Sequence, residues 1–317
     1  MWDSVPWFVG GGAQHTPEVA RLLAFTALGG AEGIINATDL KVYARPTPGS
    51  TVRVMPGGCS ILSRASGGAQ QAYTARNPSE DIVSIAATTS GASRTDLIVA
   101  RVEDPFMAGE PWAAPATPTT GPYIFTRVIS NVPAGTTSVA ELNLGYTAIP
   151  LARINIPAST ATITDSMITD LRTVARPRTS RTHSRQDCAP APNDLSSYSF
   201  VVFPITPAQY IAVPSWATAA VIRVDVTGLF TANTAVGGVI RANFGSVATA
   251  ETYFNEQVPD GSRKSYVASS TVPIPPNMRG NVNGINVQAK LIDGTGPMRA
   301  DIGTQILYDV EFLEKAA

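Results

Sequence analysis

Residues 151–173 read L-A-R-I-N-I-P-A-S-T-A-T-I-T-D-S-M-I-T-D-L-R-T, and how this stretch is read decides how the chain is divided. Leu151, Arg153 and Asn155 alternate with Ala152, Ile154 and Ile156, the two-residue period of a strand lying on a core, and Pro157 ends it. After a Ser/Thr-rich connector, Thr164 precedes Asp165, and Met167, Ile168 and Leu171 recur at a spacing that predicts a short amphipathic helix capped by a threonine. Directly afterwards the composition changes, because Arg176-Pro177 begins a polar, basic, proline-containing run to Ser197. The stretch therefore reads as the closing strand and exit helix of a first domain, 1–175. A linker, 176–197, and a second domain, 198–317, follow.

Towards the N-terminus, Thr16-Pro17-Glu18 opens the clearest helix in the chain, with a capping threonine, a proline at the first helical position and an acid in the first turn. Val19, Leu22, Leu23 and Ala27 follow at helical spacing over 17–28, and Gly29-Gly30 stops the helix. From Leu40 to Pro157 seven short runs such as L-K-V-Y-A-R and T-D-L-I-V-A-R-V are separated by Gly/Pro/Asn turn signals, which predicts strands. Beyond Ser199 about eight more strands are expected, with the cleanest alternation in V-I-R-V-D-V and I-N-V-Q-A-K-L-I. The fold class is mainly β: an N-terminal β-sandwich or barrel-like domain with one packed helix, a short linker, and a C-terminal antiparallel jelly-roll-like β-sandwich.

The 317 residues suffice for two domains that each bury a core. Charged residues make up 15%, against roughly 25% in typical soluble domains. With 26 Gly and 25 Pro, this fits short strands joined by turns and surfaces covered by other copies of the chain. A formal net charge of −1 argues against a general polyanion-binding protein. The arginines of 176–185 lack interleaved aromatics, so no nucleic-acid partner is expected, and their mutual repulsion suits an extended linker.

Cys59 and Cys188, the only cysteines, form no C-x-x-C pair, and His15 and His183 are the only histidines, so neither a disulfide framework, a metal centre nor a cofactor is expected. The first residues, M-W-D-S-V-P-W-F-V-G, lack a basic start and apolar core, and no window approaches 18 apolar residues; neither a secretory signal nor membrane insertion is expected. Gly10-Gly11-Gly12 lacks the Lys and Ser/Thr of a phosphate loop. No G-x-S-x-G occurs, and no carboxylate pair stands out among Asp225, Glu251, Glu256, Asp260, Asp293, Asp301, Asp309, Glu311 and Glu314. The expectation is a non-enzyme with no catalytic residues, and a cell-wall glycan hydrolase stays as an alternative.

Binding candidates come from aromatics. Tyr253, Phe254 and Tyr266 flank the polar turn E-Q-V-P-D-G-S-R-K, which carries Arg263. A pyranose has an apolar face and a rim of hydroxyls, so aromatics beside polar side chains suit a glycan or receptor site; core or cross-strand packing accounts for the same residues and is the preferred reading of them. Phe106 and Trp112, on the proline-rich loop 104–122, and Trp2 and Trp7, on the N-terminal arm, are candidate subunit or partner contacts, as are Met167, Ile168 and Leu171.

The ordered series W-F-V-G-G-G-A-Q-H-T-P-E-V-A-R-L-L, G-G-A-E-G-I, G-S-T-V-R-V-M-P-G-G, R-T-D-L-I-V-A-R-V and I-P-L-A-R-I-N-I-P, then I-T-D-L-R, resembles the minor tail or baseplate proteins of long-tailed phages of actinobacteria. The resemblance covers about residues 7–175. It implies a tail-tip component of the virion, commonly a homotrimer, whose N-terminal domain docks on other tail proteins. The C-terminal domain would face the host and its cell-wall polysaccharide, or act as a trimerisation and assembly module; residues 198–317 inherit that role only from their position in the chain.

Overall fold

The computed structural model describes residue 6 and residues 9–189, 193–231, 234–257, 261–294 and 296–317; Trp2 and Trp7, expected as contacts, lie outside the described residues. The chain is mainly β and divides into two compact units. One is Met1–Arg176 with Ala316–Ala317, and the other is Pro177–Lys315.

The first unit begins with α1 (Pro17–Ala27). Proline at its first turn presets φ where no N–H is needed, and Thr16 takes the cap position in extended conformation without a side-chain cap bond. Of the residues expected to face inward only Val19 is buried, whereas Leu22 and Leu23 are exposed. Two antiparallel strands follow, β1 (Gly57–Leu62) and β2 (Ala72–Asn77), with Gly33–Ile34 on the far side of β1. Val42–Ala44, Thr51–Val54 and Asp81–Ser84 make a second three-stranded sheet. The largest sheet has the order β6-β5-β3-β4, with β3 Arg94–Val102, β4 Ile124–Ile129, β5 Ala148–Ile156 and β6 Ile168–Asp170. Ile98, Leu151, Ile154 and Ile156 share one core with Val52, Val54 and Ile61 of the smaller sheets, and Leu97 and Val99 pack into a second, smaller one with Val132 and Val139.

The strand expected at 151–156 is thus the central strand β5, but the helix expected after it does not form. Asp165–Met167 is a single 3₁₀ turn, and Ile168, Thr169 and Asp170 pair with Ile154, Arg153 and Ala152 of β5. Three apolar residues at helical spacing are too few to offset the cost of helix nucleation, while β5 offers an edge whose backbone groups need partners. Asp165 accepts the Ala44 N–H at 2.7 Å instead of opening a helix. Met167 and Ile168 pack half-buried against the larger core and Leu171 against the smaller, and no helix face forms there.

The second unit contains β7 (Thr179–Asp187), β8 (Gln209–Ala212), β9 (Ala219–Thr231), β10 (Val236–Phe244), β11 (Thr252–Glu256), β12 (Lys264–Pro273), β13 (Val282–Gly294) and β14 (Gln305–Leu313), besides shorter strands. One antiparallel sheet runs β7-β14-β9-β12 and the other β8-β13-β10-β11, the strand order of a jelly roll. Both sheets share one core, in which Phe244 of β10 meets Phe312 of β14 with ring centroids 6.2 Å apart. Trp216 packs against this core and under Arg178.

The segment 176–197, expected to be a solvated linker, is corrected by β7, which pairs with β14 from Thr179↔Leu313 to Asp187↔Gln305. T-S-R-T-H-S-R-Q-D has no apolar face to betray a strand, because it forms a largely exposed edge. Its arginines find carboxylates: Arg181 bonds Asp309 at 2.8 and 2.5 Å. Charge along an edge strand also discourages further strand addition.

Candidate functional site

Along β13 the side chains of Ile285, Val287, Ala289 and Leu291 enter the core, so alternation sends Asn286, Gln288 and Lys290 to the outer face of the sheet. Register places Asn243, Arg241 and Val239 of β10 beside them, and Tyr253 of β11 beside Val239. On the other side, Tyr210 of β8 pairs with Gly284. The result is a sheet face carrying amides, two cations and tyrosines.

These groups are held in place. Arg241 donates to the Gln288 side-chain oxygen from Nε at 3.2 Å and from Nη2 at 2.9 Å. Its guanidinium lies 3.7 Å from the Phe200 ring centroid, and the Lys290 ammonium lies 4.5 Å from the same ring, so one aromatic face orients two donors. Tyr253 is 72% exposed and Tyr210 64%. A Cβ on Gly284 would lie 3.8 Å from Tyr210 Cε1, so glycine leaves this ring open space beside it. The Asn286 side-chain oxygen is buried and has no hydrogen-bond partner within the protein. Exposed rings and a fixed amide and cation lattice match the two faces of a sugar ring, one apolar and one of hydroxyls.

Of the four residues expected at a glycan site, Tyr253 alone lies on this face. Phe254 points the opposite way, is 3% exposed and meets the Tyr266 ring in a tilted contact, centroids 5.5 Å apart. Tyr266 donates to Glu256 at 2.6 Å, and its burial raises the hydroxyl pKa above the ordinary tyrosine value, so it stays a donor. Arg263 is engaged by Asp301 at 2.8 Å and by the Gly228 carbonyl at 2.8 Å. All three are thus engaged within the second unit, away from this face. Tyr210, Arg241, Gln288 and Lys290 were missed, although the alternation in I-N-V-Q-A-K-L-I already assigns Gln288 and Lys290 to the face opposite the core.

In the first unit the two loop aromatics part company. Trp112 folds back onto Arg101 and Tyr146, with the Arg101 guanidinium 4.7 Å from its ring and the two rings 5.7 Å apart. Phe106 remains 69% exposed. Among the described residues, no group of three or more His, Cys, Asp or Glu side chains is placed to hold a metal ion, and no helix is long and apolar enough to cross a membrane.

No family model and no curated protein matches the chain. Among solved structures it is similar to the VP2 subviral particle of infectious bursal disease virus, with 12% identity and a TM-score of 0.26 over 90% of this chain and 70% of that one. It is also similar to the insecticidal delta-endotoxin Cry8Ea1 of Bacillus thuringiensis, at 10% identity and a TM-score of 0.25 over 90% and 55%. A third is the tandem CBM22 domain of Xyn10C from Paenibacillus barcinonensis, at 8% identity and a TM-score of 0.20 over 90% and 96%. Superpositions with TM-scores this low carry no functional information.

Proposed function

We propose that this protein is a structural adhesion component of a phage tail tip or baseplate. Its first unit attaches to other tail proteins, and its second unit binds a host cell-surface glycan through the outer face of the β8-β13-β10-β11 sheet. The observation that carries the glycan assignment is the pair of exposed tyrosines, Tyr210 and Tyr253, on a face where Arg241 and Gln288 are already bonded to each other. The sequence resemblance over about residues 7–175 supports the tail assignment, and a homotrimer around the tail axis gives the charge-poor surface a place to be covered.

The reading is of a binder and not of a hydrolase. A glycosidase needs a carboxylic acid with a raised pKa, whereas hydrogen bonds from Arg263, Arg181 and Arg178 hold Asp301, Asp309 and Glu314 below the usual carboxylate range. The test is sedimentation of the purified protein with actinobacterial cell walls, followed by a reducing-sugar assay of the supernatant. Co-sedimentation without sugar release is expected. Sugar release would make the protein a hydrolase, and absence of co-sedimentation would leave the second unit an assembly module.

A further inference from the structure

The first unit carries a cavity of about 380 Å³ beside the N-terminal turn of α1, at the ends of β2 and β3. That volume lies in the range of small-ligand pockets. Its polar groups are fixed by bonds within the unit. Asp104 accepts the Tyr73 hydroxyl at 2.8 Å on one oxygen and the Phe106 N–H at 2.9 Å on the other. Arg21 is held by Gln71 at 2.6 Å and by Glu18 at 3.1 Å, with its guanidinium 5.1 Å from the Tyr73 ring centroid and Nη1 3.8 Å from Asp104. Opposite them Phe106 and Tyr123 meet edge to face, centroids 6.2 Å apart. Beyond that contact Phe106 stays largely exposed.

The cavity thus offers an aromatic wall facing a rim of two carboxylates and one guanidinium. Carboxylate oxygens with spare lone pairs accept from hydroxyls, and a guanidinium donates to them. Two acids against one Arg give the rim a net negative charge, which disfavours an anionic ligand, and the aromatic wall disfavours a small ion. Glu18 stays ionised, its pKa lowered chiefly by a backbone hydrogen bond in the first turn of α1, so it acts as an acceptor and not as an acid catalyst.

We infer that this cavity binds a neutral pyranose. It is a saccharide site separate from the sheet face of the second unit, and its existence does not depend on that face. The sugar's apolar face lies on Phe106 and Tyr123, and its hydroxyls bridge Asp104 and Arg21.

The experiment is saturation-transfer NMR on the full chain with methyl glycosides of glucose, galactose and mannose, competed by an Arg/Pro-rich peptide. Transfer to at least one glycoside is expected. Measured in a Tyr210→Ala/Tyr253→Ala background, which silences the sheet face of the second unit, Asp104→Asn, which keeps shape but removes charge, and Phe106→Ala, at an exposed side chain, should each weaken it about tenfold or more, with Phe106→Trp restoring it. Two results would overturn the inference: no transfer to any of the three glycosides in the Tyr210→Ala/Tyr253→Ala background, with or without the peptide, or transfer in that background that survives both cavity variants.

Discussion

Arg241 and Gln288, on neighbouring strands of the second unit, are joined by two hydrogen bonds of 3.2 and 2.9 Å from guanidinium to amide oxygen. The pair is set before any ligand arrives, so binding does not have to immobilise a free arginine. Replacing Gln288 by Ala releases Arg241 on an outer face. Thermal melts should change by less than about 1 kcal/mol, while glycan affinity falls several-fold in a binding titration.

Arg172 plays the opposite part, at the end of the 151–173 stretch. Its side chain is fully buried and donates to Asp170 at 2.7 Å and to the carbonyls of Ala37, Asp39 and Ala317 at 3.2, 2.6 and 3.0 Å. Arg172→Met leaves these acceptors unpaired. It should cost about 3 kcal/mol, the low end for a broken buried pair because Asp170 is partly exposed, and lower Tm by on the order of 10 °C.

Glu314 links stability to pH. Two hydrogen bonds from Arg178 to its carboxylate lower its pKa in the folded protein below the ordinary value of 4.5. Stability from this pair is therefore full above about pH 4.5 and is lost as pH falls through the lower folded value. Urea midpoints at pH 7 and pH 3 should differ less in Glu314→Gln than in the native sequence. Because Arg178 is half exposed, the variant's loss at pH 7 should be on the order of 1 kcal/mol.

Phe254 and Tyr253 are adjacent, and the structure gives them unlike jobs. The Phe254 ring fills the space left by Gly238, where a Cβ would come within 2.4 Å of it. Phe254→Ala should destabilise the second unit by about 3–4 kcal/mol, and Tyr253→Ala by less than about 0.5 kcal/mol; differential scanning calorimetry of both variants checks the contrast.

The legible parts of the fold were those with an apolar period. V-I-R-V-D-V and I-N-V-Q-A-K-L-I show a strand with one buried face, and both are long strands of the jelly roll. β7 was illegible because every side chain in it is polar, and its partner β14 lies more than a hundred residues away in sequence. β6 was misread because the spacing of Met167, Ile168 and Leu171 fits a helix, and only the open edge of β5 makes it a strand. At the candidate site Tyr253 was legible as an aromatic beside polar residues. Arg241 and Tyr210 were not, since only cross-strand register brings them onto its face.

The most direct measurement is a titration of the full chain with purified actinobacterial cell-wall polysaccharide, comparing the native sequence with Tyr210→Ala/Tyr253→Ala. Saturable binding that drops at least about tenfold in the double variant, with the melting temperature unchanged, is expected from losing two stacking platforms. Equal binding by both proteins, or none by the native one, would contradict the assignment of this face as a glycan-binding surface.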